Sequence, residues 1–204
     1  MIPSLVRLPA AVLGAGSIAA LATCADAVGV GRVVLVGAQR TDEGHELDAF
    51  VVAAAVAEHS RALVGVAVRV GAGRAASIIA REATAAQLLG ACHALLLEGD
   101  ASSCRDAATV IATLFVDGIH TVVTGTERVD GARNNPVPEL GSVPDIFWRE
   151  HTDVWRQAPD GPERCGDVSD VPRTSRIPGP VSGSLVLLDH PVASATELAD
   201  SLSR

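Results

Sequence analysis

Leu63-Val64-Gly65-Val66-Ala67-Val68-Arg69-Val70 runs directly into Gly71-Ala72-Gly73-Arg74 and then into a helical pattern. A short run dominated by β-branched residues and closed by glycines reads as a strand buried on both faces, and a helix behind it completes a βα unit. The same hand-over occurs three more times in the first hundred residues. Leu5 to Leu13 closes on Gly14-Ala15-Gly16-Ser17, Val33 to Val36 closes on Gly37, and Ala94 to Leu97 closes on Glu98-Gly99-Asp100. Such units build a parallel sheet, and ligands gather at the carboxyl ends of its strands. The glycine-bearing turns are therefore the first place to look for function.

Helical signals fill the gaps. Ser17 caps a predicted helix to Val28 with Ile18, Leu21, Ala22 and Ala25 on one face. Asp48 or Glu46 opens a second, Leu47 to Glu58, with Phe50, Val51, Ala54 and Ala57 as its buried stripe. A third covers Ala75 to Gly90 and a fourth runs from Ser102 or Ser103 to Phe115. Beyond Gly118 the alternation breaks. His120 to Thr124 and Glu127 to Val129 flank Gly125-Thr126 as a small hairpin, and Asn134 to Pro144 is extended and proline-punctuated. Residues 158–182, rich in Pro, Gly, Asp and Ser, read as a long or mobile loop. A last strand, Ser184 to Leu188, and a helix, Ala193 to Leu202, close the chain. Five βα-like units fall short of the eight, in roughly 250 residues, of a complete barrel. The expected architecture is an incomplete TIM-barrel-like α/β fold with a small β-hairpin excursion, forming one domain over 1–204.

Composition narrows the chemistry. The net charge of -8 argues against nucleic acid or an anionic membrane as the main partner, since both need a basic face. All 16 basic residues are arginine and tyrosine is absent, which removes a Schiff-base lysine or a tyrosine acid. Cys24, Cys92, Cys104 and Cys165 show neither metal-ligand spacing nor a disulfide framework. No metal is expected, and reduced thiols fit a cytoplasmic protein. The start, Met1-Ile2-Pro3-Ser4, lacks a signal-peptide pattern, and no run approaches the roughly 18 apolar residues of a membrane span.

The block from Asp48-Ala49-Phe50 through Glu58-His59-Ser60-Arg61, the run Leu63 to Val68, and Arg74 to Ala80-Arg81-Glu82-Ala83 with Thr84 and Gln87-Leu88-Leu89 resembles the luciferase-like monooxygenase superfamily. The segment from Gly118 to Asn135-Pro136-Val137-Pro138 and Val143-Pro144-Asp145-Ile146-Phe147 is similar to that family's excursion before its next strand, so the likeness covers most of residues 5 to 148. Where the family has Leu-Ser-x-Gly-Arg, this chain has Leu89-Gly90-Ala91-Cys92-His93. The resemblance implies a β/α barrel binding flavin mononucleotide (FMN) or 8-hydroxy-5-deazaflavin for monooxygenation or hydride transfer on a small organic substrate, usually as a homodimer. A non-catalytic flavin-binding or interaction subunit is the alternative, and the exposed edges of an incomplete barrel would favour dimerisation in either case.

Candidate site residues lie on the same rim. Gly71, Gly73, Arg74 and Ser77 can hold a phosphate, because helix-start amides point outward and arginine adds a planar fork; the competing reading is a tight turn with a solvent-facing arginine. Glu98, Gly99 and Asp100 would meet the cofactor from the fourth strand, with helix capping by Asp100 as the alternative. His45, in Gln39 to His45, is the candidate general acid or base or else part of a solvated loop. His93 and the cysteines read as structural. Phe147-Trp148 with Trp155 form a packing anchor, a subunit contact or a lid over a flat ring. Finally, Gly14-Ala15-Gly16-Ser17-Ile18-Ala19 fits GxGxxA, so a nicotinamide dinucleotide turn is a further possibility, with Asp42 or Glu43 on the ribose.

Overall fold

The computed structural model describes residues 2–8, 12–13, 17–28, 31–41, 43–71, 74–116, 144–171 and 181–188. Its elements, in chain order, are β1 (Ser4–Arg7), β2 (Val12–Leu13), α1 (Ser17–Val28), β3 (Arg32–Val36), β4 (Gln39–Thr41), β5 (Glu46–Leu47), α2 (Ala49–His59), β6 (Leu63–Arg69), α3 (Ala76–Leu88) and β7 (Ala94–Glu98). There follow α4 (Ala101–Val116), β8 (Asp145–Glu150), β9 (Asp153–Ala158), β10 (Gly161–Val171) and β11 (Leu185–Leu188).

Eight strands close into a barrel in the order β1-β11-β10-β9-β8-β7-β6-β3, and β2, β4 and β5 form a separate small sheet. From β1 through β3, β6 and β7 to β8 each neighbour is parallel. Then β9 runs antiparallel to both β8 and β10, and β11 joins β10 to β1 in parallel.

This corrects the expectation of an incomplete TIM-barrel-like α/β fold: the barrel is closed and mixed, with four short helices among the described residues. The physical reason is economy of connection. Antiparallel neighbours need only a tight turn, whereas parallel ones need a long crossover; the β8-β9-β10 meander therefore adds strands without adding helices. Residues 161–171, read as part of a loop, are strand β10. Its sequence, Gly-Pro-Glu-Arg-Cys-Gly-Asp-Val-Ser-Asp-Val, lacks the apolar run that marks a doubly buried strand. The Leu5 to Leu13 run divides into β1 and β2. The hairpin at 120–129, the segment 134–138, the helix at 193–202 and the Gly14-Ala15-Gly16 turn lie outside the described residues.

The continuous hydrophobicity of β1, β3, β6 and β7 follows from two cores on either side of the strands. Leu5, Val33, Leu35, Ala67, Leu96, Phe147, Val154 and Leu185 point into the lumen. Their alternates Val6, Val34, Val66, Leu95 and Ile146 point outward against the helices. With strand Cα atoms averaging 8 Å from the axis, the interior is narrow enough for side chains to fill. Gly65 shows how tightly: a Cβ there would lie 2.7 Å from the Ala94 carbonyl and 2.8 Å from Leu35 Cδ2. On α2 the buried stripe is Phe50, Val52, Ala53 and Val56, while Val51, expected inside, is 60% exposed.

The two ends of the barrel differ in charge. At the amino ends of the parallel strands, Arg156 on β9 bonds Asp145 at 2.6 Å and Glu163 at 3.2 Å, one cation between two carboxylates, so this plug keeps one surplus negative charge. No described helix is long and apolar enough to cross a membrane.

Candidate functional site

The parity that sends Leu5 and Leu96 into the lumen also sends Arg7 and Glu98 there, one register step nearer the carboxyl ends. Arg69 pairs in register with Glu98, and Trp148 pairs with Leu97, so Glu98 falls between Arg69 and Arg149 on adjacent strands. Charged residues end these strands because the alternation has reached the solvent end, where a charge keeps some hydration. Together they surround a cavity of about 820 Å³ whose apolar side is Leu96, Leu185 and Leu187.

Glu98 does not pair with its register neighbours. Its carboxylate reaches across the lumen to Arg7, with Nε–Oε1 at 2.9 Å and Nη2–Oε2 at 3.5 Å. The second end of the Arg7 fork donates to the Leu8 carbonyl. The guanidinium lies over Gly37, and a Cβ on that residue would collide with it. Arg7 is thus fixed from three sides, whereas Arg69 and Arg149 are exposed at the rim. Arg149 Nε donates to the His151 carbonyl at 2.6 Å. His151 stands in the β8-β9 turn with φ of 57°, a left-handed conformation uncommon for a residue with a Cβ, and lines the same cavity. Glu150 faces outward. Hydrogen bonds from the Trp148 indole and from Arg105 hold its carboxyl below the usual range.

Of the lining charges, three arginines stand against Glu98, leaving a surplus of two positive charges, since Glu150 is matched by Arg105. A cleft lined by one sign of charge focuses potential. The mouth is cationic although the chain carries a net charge of -8.

The expected site residues divide around this cavity. Glu98 and Gly99 line it. Asp100 instead caps α4, accepting from Ser103 N at 2.9 Å and Ser102 Oγ at 2.7 Å, and these bonds hold its carboxyl down at about 2. Arg74 is committed elsewhere: Nη1 meets Asp48 Oδ2 at 2.8 Å, Nε and Nη2 meet Glu82, and the fork lies 5.4 Å from the Phe50 ring centre. It ties the start of α2 to α3 and leaves its fork no face for a phosphate. Gly71 takes φ of 91° in a turn closed by Arg74 N to Gly71 O at 3.1 Å, and Ser77 is exposed on α3. Gly73 and Asp42 lie outside the described residues. His45 is 77% exposed in the β4-β5 turn, 3.7 Å from Glu43, and does not line the cavity. His93 bonds the Val64 carbonyl, the structural role expected of it.

None of the four cysteines is in a disulfide, and burial pushes Cys24, Cys104 and Cys165 up to about 11 and Cys92 higher still, so none is a ready thiolate. Among the described residues no group of His, Cys, Asp and Glu could hold a metal ion. Arg7, Arg69, Arg149 and His151 were not singled out by sequence reasoning. The available signal was a charged residue at the lumen-facing parity of the last strand position, visible at Arg7 and Arg69 inside otherwise apolar runs. No protein-family model and no curated protein matches the chain.

Proposed function

We propose that the chain is a flavin- or deazaflavin-dependent oxidoreductase that holds FMN or 8-hydroxy-5-deazaflavin, with a small organic substrate, in the cavity at the barrel mouth. The observation that carries this reading is the cavity itself. At about 820 Å³ it lies within the range of cofactor sites, with an apolar wall and a few convergent polar groups. The fit is chemical on both counts. Leu187, backed by the buried Leu96 and Leu185, gives the site an apolar side toward which a flat ring can turn, and the arginine rim suits an anionic tail. When bound, such a cofactor supplies the redox chemistry, and the protein supplies position, electrostatics and exclusion of water. Here Glu98 and Arg7 fix the depth of the site, and His151 is the group at the mouth able to give or take a proton.

A binding role without catalysis is the second reading. It is favoured by the absence of any Ser, Cys or Lys nucleophile among the described lining residues. A nicotinamide dinucleotide turn at Gly14-Ala15-Gly16 is a third reading on residues outside the described ones; Glu43, a candidate for its ribose, is exposed beside His45 rather than at the cavity. We place the protein in the cytoplasm on its four cysteines standing outside any disulfide, and propose the homodimer as its assembly.

Thermal melts with FMN, riboflavin and 8-hydroxy-5-deazaflavin test the proposal. A ligand at a hundred times its Kd stabilises the folded state by about 2.7 kcal/mol, a shift of several degrees in Tm. A colourless protein whose Tm moves with none of the three would overturn it.

A further inference from the structure

Glu98 is flanked in register by Arg69 on β6 and Arg149 on β8, yet its carboxylate crosses the lumen to Arg7. A carboxylate seated between two arginines has a short route to either; crossing instead leaves both rim cations turned to the cavity. Neither Arg69 nor Arg149 meets a carboxylate among the described residues. The deepest cation, Arg7, is held in a geometry that matches an oxyanion, with two guanidinium nitrogens on the two oxygens of one carboxylate.

We propose that Arg7, Arg69 and Arg149 form a binding site for a compact oxyanion carried by the ligand, a phosphate monoester or a carboxylate, and that Glu98 is the internal anion that occupies Arg7 until this group arrives. The surplus of two positive charges suits a doubly charged group. Arrival of the oxyanion at Arg7 releases Glu98 to Arg69 or Arg149, its neighbours on either side, so the carboxylate keeps a partner throughout. Gly37 is part of the device, since any side chain there would take the space of the Arg7 fork.

The inference uses the same cavity as the proposed function but does not need the flavin, and its probes carry no ring. Isothermal titration at low salt with inorganic phosphate and with succinate, on the whole chain, reads it directly. Removing the internal competitor with Glu98→Gln is expected to tighten binding of at least one probe about tenfold, in line with close charge pairs at binding sites. The probe that tightens names the group. In the otherwise native chain, Arg69→Gln combined with Arg149→Gln is expected to abolish saturable binding, while Arg164→Gln, on the outer face with Asp153 and Asp167, leaves it unchanged. Unchanged or weaker affinity in a folded Glu98→Gln protein overturns the proposal. Should that variant not fold, persistence of binding within twofold in the double arginine variant overturns it equally, as does the absence of saturable binding in both the native and the Glu98→Gln chains.

Discussion

Asp100 shows what a single side chain can report. It accepts two hydrogen bonds at the start of α4, where the helix dipole also favours negative charge, and its carboxyl is held at about 2 against an ordinary 3.8. A depressed value means that the unfolded chain binds its proton first as the pH falls, so the cap's contribution is complete above about 4 and is lost toward about 2. Asp100→Ala should therefore lower Tm at neutral pH and converge on the native Tm as acid titrations pass through that window. A constant gap down to pH 2 would show that the charge plays no part. Capping by Asp100, and by Asp48 on α2, was legible because an N-cap is a local rule that needs only the residue and the helix behind it. The inward arginines were not, because Arg7 and Arg69 acquire meaning only once strand parity and barrel closure say which way they face.

At the scale of elements, the helices were legible to within a few residues, α1 at both ends, and the apolar strands were too. What escaped was the short β4-β5 pair, the strand β8, read only as a packing anchor, subunit contact or lid, and above all the β9-β10 pair, whose polar sequences owe their strand state to neighbours. Register with β8 and β11, rather than any hydrophobic run, holds them. Arg74 belongs to this scale, since it joins Asp48 of one helix start to Glu82 of the next helix while lying against Phe50. Partly exposed ion pairs contribute about 0–1 kcal/mol each and a cation over an aromatic ring a similar amount. Arg74→Ala should cost about 1–2 kcal/mol in urea denaturation and leave phosphate or succinate binding at the mouth intact. Loss of anion affinity with unchanged stability would return Arg74 to the site from which its carboxylate partners now exclude it.

For the whole molecule, closure changes the argument for assembly. A closed barrel has no free sheet edges to pair, so the edge-based reason for a dimer falls away. What remains is apolar exposure on the helical ring, at Val51 of α2, Ile78 and Leu88 of α3 and Val110 of α4. Sedimentation at micromolar concentration should give twice the chain mass of 20.8 kDa, and a single monomer species across the concentration range would rule the dimer out. The ring includes one narrow hairpin, β8-β9, and both tryptophans of the chain sit on it, stacked with ring centres 6.5 Å apart. With no tyrosine anywhere, the protein's intrinsic ultraviolet emission comes almost wholly from this spot. The molecule thus carries its own optical gauge of whether the ring of strands is sealed, and its emission will turn red when the β8-β9 seam opens, even while helices α1 to α4 still hold their far-ultraviolet signal.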